Sequence, residues 1–215
     1  MRRRIVLALC LLSCAGLAQA QWPAARRSPE PGSWTQLSVG LLSIGQVADG
    51  STGSTWDFGS GSTLYRATLE KTIQPGSAFG VAASYAPVSL RYTSSNQITG
   101  GCGTCDATAQ IYQALAFFHN GSGAGFHQVI ELTLGATIYT NFKEKATGAQ
   151  LAPTKADPDL SFSFGYGFGY GLSQSTDLEI IQEIGDAMHQ KTNLPSNANS
   201  LNRVGVTRIG LRMGM

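Results

Sequence analysis

The stretch from Leu160 to Leu172 reads L-S-F-S-F-G-Y-G-F-G-Y-G-L. A period of two over thirteen residues is a β-strand pattern, because successive side chains leave a strand on opposite faces. One face carries Leu160, Phe162, Phe164, Tyr166, Phe168, Tyr170 and Leu172. The other carries only Ser161, Ser163 and the glycines at 165, 167, 169 and 171, with Ser173 continuing it. A water-soluble sheet would have to cover the bulky face with a second layer. A strand of a lipid-embedded barrel turns bulk toward acyl chains and small or polar groups toward the lumen.

Working outward, eight segments alternate in the same way: 34–45, 63–72, 78–93, 107–119, 126–142, 160–173, 176–189 and 201–215. No helical period of comparable length competes. The connections run long, short, long, short, long, short, long. The short ones are Ile73-Gln74-Pro75-Gly76-Ser77, Asn120 to Gly125, and Gln174-Ser175. An up-and-down barrel with both ends in the periplasm has long outward loops and short periplasmic turns. The expected fold is therefore all-β, an eight-stranded antiparallel up-and-down transmembrane barrel over residues 33–215.

Face parity then assigns a lumen. With Tyr65, Ala67 and Leu69 outward, Arg66 and Glu70 point inward. On the third segment Phe79, Val81, Ala83 and Tyr85 read as outward, followed by Val88, Leu90 and Tyr92. That change of parity at Ala86-Pro87 predicts a β-bulge and an inward Arg91. Glu131, near His127, and Glu179, Glu183, Arg208 and Arg212 complete an expected lumenal ion-pair network of Arg66, Glu70, Arg91, Glu131, Glu179, Glu183, Arg208 and Arg212. Eight strands leave an interior just wide enough for side chains to fill. Four Arg against four Glu predict a plug of paired charges, with Glu183 beside Arg208 or Arg212, and not an open channel. The bare Gly and Ser face of 160–172 leaves room for those long side chains. Trp34, Tyr65, Tyr92, Tyr139 and Tyr166 are candidates for interfacial aromatic girdles.

The N-terminus carries a different kind of signal. Arg2-Arg3-Arg4, an apolar run from Ile5 to Leu17 and Ala18-Gln19-Ala20 describe a secretory signal peptide over residues 1–20. A rival reading makes Cys14 a lipidated cysteine. Residues 21–32 form an aperiodic periplasmic lead-in. Without Arg2, Arg3 and Arg4 the 15 basic residues fall to 12 against 13 acidic, a net charge of −1. No basic stripe or motif points to nucleic acid. Cys102 and Cys105, in Gly-Gly-Cys-Gly-Thr-Cys-Asp, lie outside the leader. A disulfide at a loop tip is the expectation, with no second ligand pair for a metal. No cofactor and no metal are expected.

With these features in place the chain resembles the small outer-membrane β-barrels of the OmpA/OmpX type over about residues 33–215. The ending Thr207-Arg208-Ile209-Gly210-Leu211-Arg212-Met213-Gly214-Met215 resembles the C-terminal insertion signal of such barrels, with Met215 where they usually carry an aromatic residue. The resemblance implies residence in the bacterial outer membrane, contact with its lipid and lipopolysaccharide, and recognition by the outer-membrane assembly machinery. Lipid A deacylases of this architecture carry His-x-Ser-Asn near the last two strands. Here His189 is followed by Gln190, Lys191 and Asn193, and the nearest later serine is Ser196. His189 and Ser196 are thus the candidates for a catalytic pair, read otherwise as a rim histidine in a polar loop. No carboxylate follows Asp186 to orient the ring. The leading expectation is a non-enzymatic barrel whose four outer loops serve envelope integrity, adhesion or binding. A lipid A deacylase-like hydrolase is the runner-up, a narrow porin-like pore comes next, and a soluble lipocalin-like barrel with its apolar face inward is the opposite case.

Overall fold

The computed structural model describes residues 31–59, 61–94, 102–156, 158–189 and 201–215. The leader, Cys14 and most of the lead-in lie outside these residues, as does Ser196. Among the described residues there is no helix. Ten strands form one sheet: β1 (Ser33–Ile44), β2 (Val47–Asp49), β3 (Ser54–Phe58), β4 (Ser62–Gln74), β5 (Ser77–Ser94), β6 (Thr104–Asn120), β7 (Gly125–Glu144), β8 (Pro158–Ser173), β9 (Thr176–Met188) and β10 (Leu201–Gly214). β1 and β4 to β10 pair antiparallel in order, and β1 closes on β10 from Trp34–Gly214 to Ile44–Val204. The result is a closed barrel in which each of these eight strands has a partner on both sides.

The tight turns lie at the end that also holds both termini of the barrel. Pro75 presets φ in one of them and Gly76 supplies a φ of 80°, which a residue with a Cβ resists. At the opposite end the first long connection is more than a loop. β2 and β3 form a hairpin, and β3 pairs with β5 from Ser54–Ser94 to Phe58–Leu90, extending the wall above the end of β4. Val47, Trp56 and Phe58 drive this, all buried on the inner side.

Outside, Leu37, Leu69, Val81, Leu134, Phe164 and Ile180 are each 51 to 60% exposed, part of a continuous apolar belt. Every large residue of the Leu160–Leu172 stretch faces out with it. Tyr65, Tyr85 and Tyr112 stand in register on β4, β5 and β6, with Tyr85 and Tyr112 rings 5.2 Å apart. They mark the upper border of the belt, where aromatic rings suit the membrane interface. Above them the outer face turns polar.

That border corrects the reading of β5. The β5–β6 register runs without a shift from Ser77–Asn120 to Thr93–Thr104, so Ala86-Pro87 holds no bulge. Val88, Leu90 and Tyr92 point inward, and Arg91 points outward, in register with Asp57 on one side and Asp106 on the other. The hydrophobic pattern changes face because the surroundings change from lipid to water, while the backbone continues unbroken. Trp34, Tyr92 and Tyr139 are likewise inside the barrel, so of the five proposed girdle residues only Tyr65 and Tyr166 face outward.

Candidate functional site

The lumen is filled in two layers of opposite character. Within the belt, inward parity collects charge. Arg208 of β10 donates from Nε to Glu183 at 2.7 Å and from Nη2 to Glu131. Arg66 of β4 donates to the same Glu183 and, from Nε, to Ser84 at 2.9 Å. Arg212 reaches Glu70 at 2.9 Å and stacks over the Trp34 ring at 4.1 Å. Gln36 ties the pairs together, donating to Glu179 at 2.6 Å and accepting from Arg208 at 3.0 Å. Charges taken out of water need this density of partners, since ion pairing alone barely offsets their desolvation. The space beside Arg66 and Glu183 is about 20 Å³, room for about one water.

The glycines of β8 make this packing possible. A Cβ on Gly165 would sit 3.2 Å from side-chain carbons of Glu131, Glu183 and Ile181. At Gly169 it would meet Nε2 of His127 at 2.3 Å.

Seven of the eight expected ion-pair residues thus meet inside. Arg91 does not, because it stands on the wall above the belt. Two partners absent from the expected set are present. Asp177 is buried with an oxygen 3.7 Å from Arg212. His119 is fully buried, with Nδ1 3.3 Å from Glu131 and Nε2 2.7 Å from the Gly121 carbonyl. Both follow from parity: His119 is two residues beyond inward Phe117, and Asp177 two before inward Glu179. Among the described residues the lumenal carboxylates therefore outnumber the arginines.

Above the belt the interior becomes an apolar core. Trp56, Tyr92, Ile111, Tyr139 and Phe142 are buried there, with Trp56 and Phe142 ring centroids 4.5 Å apart. Cys102 and Cys105 form a disulfide at the outer end of the β5–β6 pair and pack partly against this core.

His189 caps the core at the outward mouth. It is 8% exposed and sits edge-on to Trp56 at 5.3 Å. Its Nδ1 lies 2.8 Å from Asp159 and its Nε2 3.6 Å from Asp49. The orienting carboxylate that the local sequence lacks is therefore supplied from thirty residues upstream. Asp49 ends β2 and accepts from the backbone and hydroxyl of Ser51 in the turn that follows, at 2.9 and 2.7 Å. Burial works to lower the His189 pKa, but the bonds and charges of Asp159 and Asp49 outweigh it and push it up to about 9. Burial raises Asp49 in turn, yet His189, Thr52 and Ser51 hold its carboxyl well below the usual carboxylate range. The ring is thus an imidazolium clamped between two carboxylates at neutral pH. Beside it opens a cavity of about 450 Å³ lined by Asp49, Ser51, Trp56, Tyr139, Lys155 and His189 among others.

The architecture defines the class: a small eight-stranded β-barrel of the outer-membrane type, lipid-facing outside and filled within. No family model matches the chain, and no curated protein matches it in sequence. Among solved structures it is similar to Neisserial surface protein A, with a TM-score of 0.54 at 12% identity, covering 87% of this chain and 100% of that one. The attachment invasion locus protein of Yersinia pestis aligns with a TM-score of 0.43 at 14% identity, over 86% of this chain and 100% of the other. At such identities the likeness concerns the fold.

Proposed function

We propose that this protein is an integral outer-membrane barrel that neither conducts nor catalyses, and that acts through its outward mouth and loops in binding or adhesion. The observation that carries this reading is the filled lumen. Ion pairs occupy the belt and aromatic rings occupy the projecting half, and among the described residues the cavity beside His189 offers a recess at the outward mouth. Such a cavity, with aromatic walls and a few convergent polar groups, suits a small polar ligand or the polar part of a larger one. The belt would contact outer-membrane lipid, with lipopolysaccharide around its outer rim. The alternating end of β10 would be read by the assembly machinery. In planar bilayers the purified protein is expected to give no unitary conductance, and stepwise currents would replace this reading with that of a narrow pore.

One observation favours a second reading, a lipid A deacylase-like hydrolase: the Asp159–His189 dyad has the relation of orienting acid to base. Against it, His189 is protonated at neutral pH, and among the described residues its Nε2 edge meets Asp49 and not a hydroxyl. A base must be unprotonated and within reach of the proton it takes. Mass spectrometry of lipid A incubated with the protein separates the two. The expected spectrum is unchanged, whereas acyl loss that disappears in His189→Ala establishes the hydrolase.

A further inference from the structure

At the periplasmic end of the lumen a histidine and a glutamate bring polar atoms together that the hydrogen bonds of the ion-pair network leave unused. His127 of β7 and Asp177 and Glu179 of β9 each bring a ligand-type atom to within 4.8 Å of the others. Nδ1 of His127 lies 3.1 Å from the Gly125 carbonyl, which fixes it as the N–H donor and leaves the lone pair on Nε2. That Nε2 is buried and has no hydrogen-bond partner among the described residues. Glu179 is fully buried, and while its Oε2 accepts from Gln36 at 2.6 Å, its Oε1 has no hydrogen-bond partner among the described residues. The nearest cationic candidate for Oε1 is His119 Nε2 at 3.5 Å, but that nitrogen already meets the Gly121 carbonyl at 2.7 Å. Gly169 is what lets the His127 ring lie there, since a Cβ at that position would collide with Nε2.

Charge points the same way. Arg66, Arg208 and Arg212 share the lumen with Glu70, Glu131, Asp177, Glu179 and Glu183. Among these carboxylates Glu179 is fully buried and keeps its Oε1 without a hydrogen-bond partner among the described residues. A buried carboxylate without compensation is costly, and a cation held by the oxygens in question removes that cost.

We propose that His127, Asp177 and Glu179 bind a divalent first-row transition cation of the Zn²⁺ class. One neutral imidazole with two carboxylates supplies three protein ligands and leaves further positions to water, which such ions accept. The outer contacts are also in place: the Gly125 carbonyl sets the His127 tautomer and Gln36 orients Glu179. His127 is only half-buried and lies beside the short turns, so the ion enters from the periplasmic mouth. This inference is independent of what the outward mouth binds.

The test is Zn²⁺ titration of the folded protein in detergent micelles after chelator stripping, followed by calorimetry and by the metal retained on desalting. One equivalent is expected in the wild type. His127→Ala and Glu179→Gln should each lose affinity by about tenfold or more, while Arg91→Ala on the solvent wall binds as the wild type does. Heat-modifiable gel migration reports folding of each variant. If Glu179→Gln does not fold, the half-exposed His127 position still decides the matter. Absence of a stoichiometric ion in the wild type overturns the proposal. So does wild-type affinity in His127→Ala, or binding that depends on His189 at the far mouth instead.

Discussion

The two halves of this barrel are built on opposite rules along the same strands. In the belt, β5 turns Phe79, Val81 and Tyr85 outward and Ala82 and Ser84 inward; above it, the same unbroken strand turns Ser89 and Arg91 outward and Val88, Leu90 and Tyr92 inward. The lower half is stabilised by lipid around it and paired charges inside. The upper half is an ordinary water-facing barrel with an aromatic core. Parity belongs to the backbone, whereas polarity belongs to the solvent, and a strand that crosses the membrane surface separates the two.

The comparison breaks hardest at the centre of the charged layer. Arg208→Ala leaves Glu131 and Glu183 without their shared cation and should cost about 3–5 kcal/mol, as removal of one partner of a buried pair does. Urea unfolding in lipid vesicles measures it. An effect below about 1 kcal/mol would show that water, not Arg208, compensates those carboxylates. Next in size is a matched pair on the outer face. Leu134→Arg places a charge in the belt and should cost about 2–4 kcal/mol, while Ser89→Arg, above the tyrosines, should cost close to nothing. Equal costs would move the membrane border away from Tyr65, Tyr85 and Tyr112.

The Leu160–Leu172 strand was legible because it lies wholly in the belt, where lipid on one side and long lumenal side chains on the other impose a single reading. β5 was misread because it passes from lipid into water, and a change of polarity looks the same in sequence as a change of parity. The β2–β3 hairpin hid in a Gly- and Ser-rich stretch whose short strands hold only Val47, Trp56 and Phe58 as markers. His119 and Asp177 could have been found by carrying parity two residues further. The partners of His189 could not, since Asp49 and Asp159 meet it only when the mouth of the barrel closes the distance between remote segments.

A smaller and more local effect distinguishes the mouth from the belt below it. His189 has its pKa raised to about 9 from an ordinary value of 6.5, so its contribution is complete below about pH 6.5 and is lost as pH rises through 9. Asp49 is depressed, so its contribution is present above its ordinary 3.8 and is lost as pH falls through its folded value. The clamp between the β2–β3 turn and β8 is therefore strongest from about pH 4 to 6.5 and holds at neutral pH. Acrylamide quenching of tryptophan fluorescence should rise between pH 8 and pH 10 as Trp56 loses its charged neighbour. In His189→Gln quenching should not change over that range. A pH-dependent rise in the variant would assign the change to another group.

The smallest expected effect is the most discriminating, because it concerns an arginine that sequence parity places in the plug. Arg91 stands on the water-facing wall with Asp57 and Asp106 as cross-strand neighbours. Exposed charge pairs contribute about 0–1 kcal/mol and are screened by salt. Arg91→Ala should therefore lower stability by less than about 1 kcal/mol, and the difference should shrink further in high salt. Were Arg91 inside, its removal would rival that of Arg208 and salt would not alter the loss. The ratio of the two alanine effects, measured in the same vesicles, thus reads out on which side of the wall and of the membrane border each arginine stands.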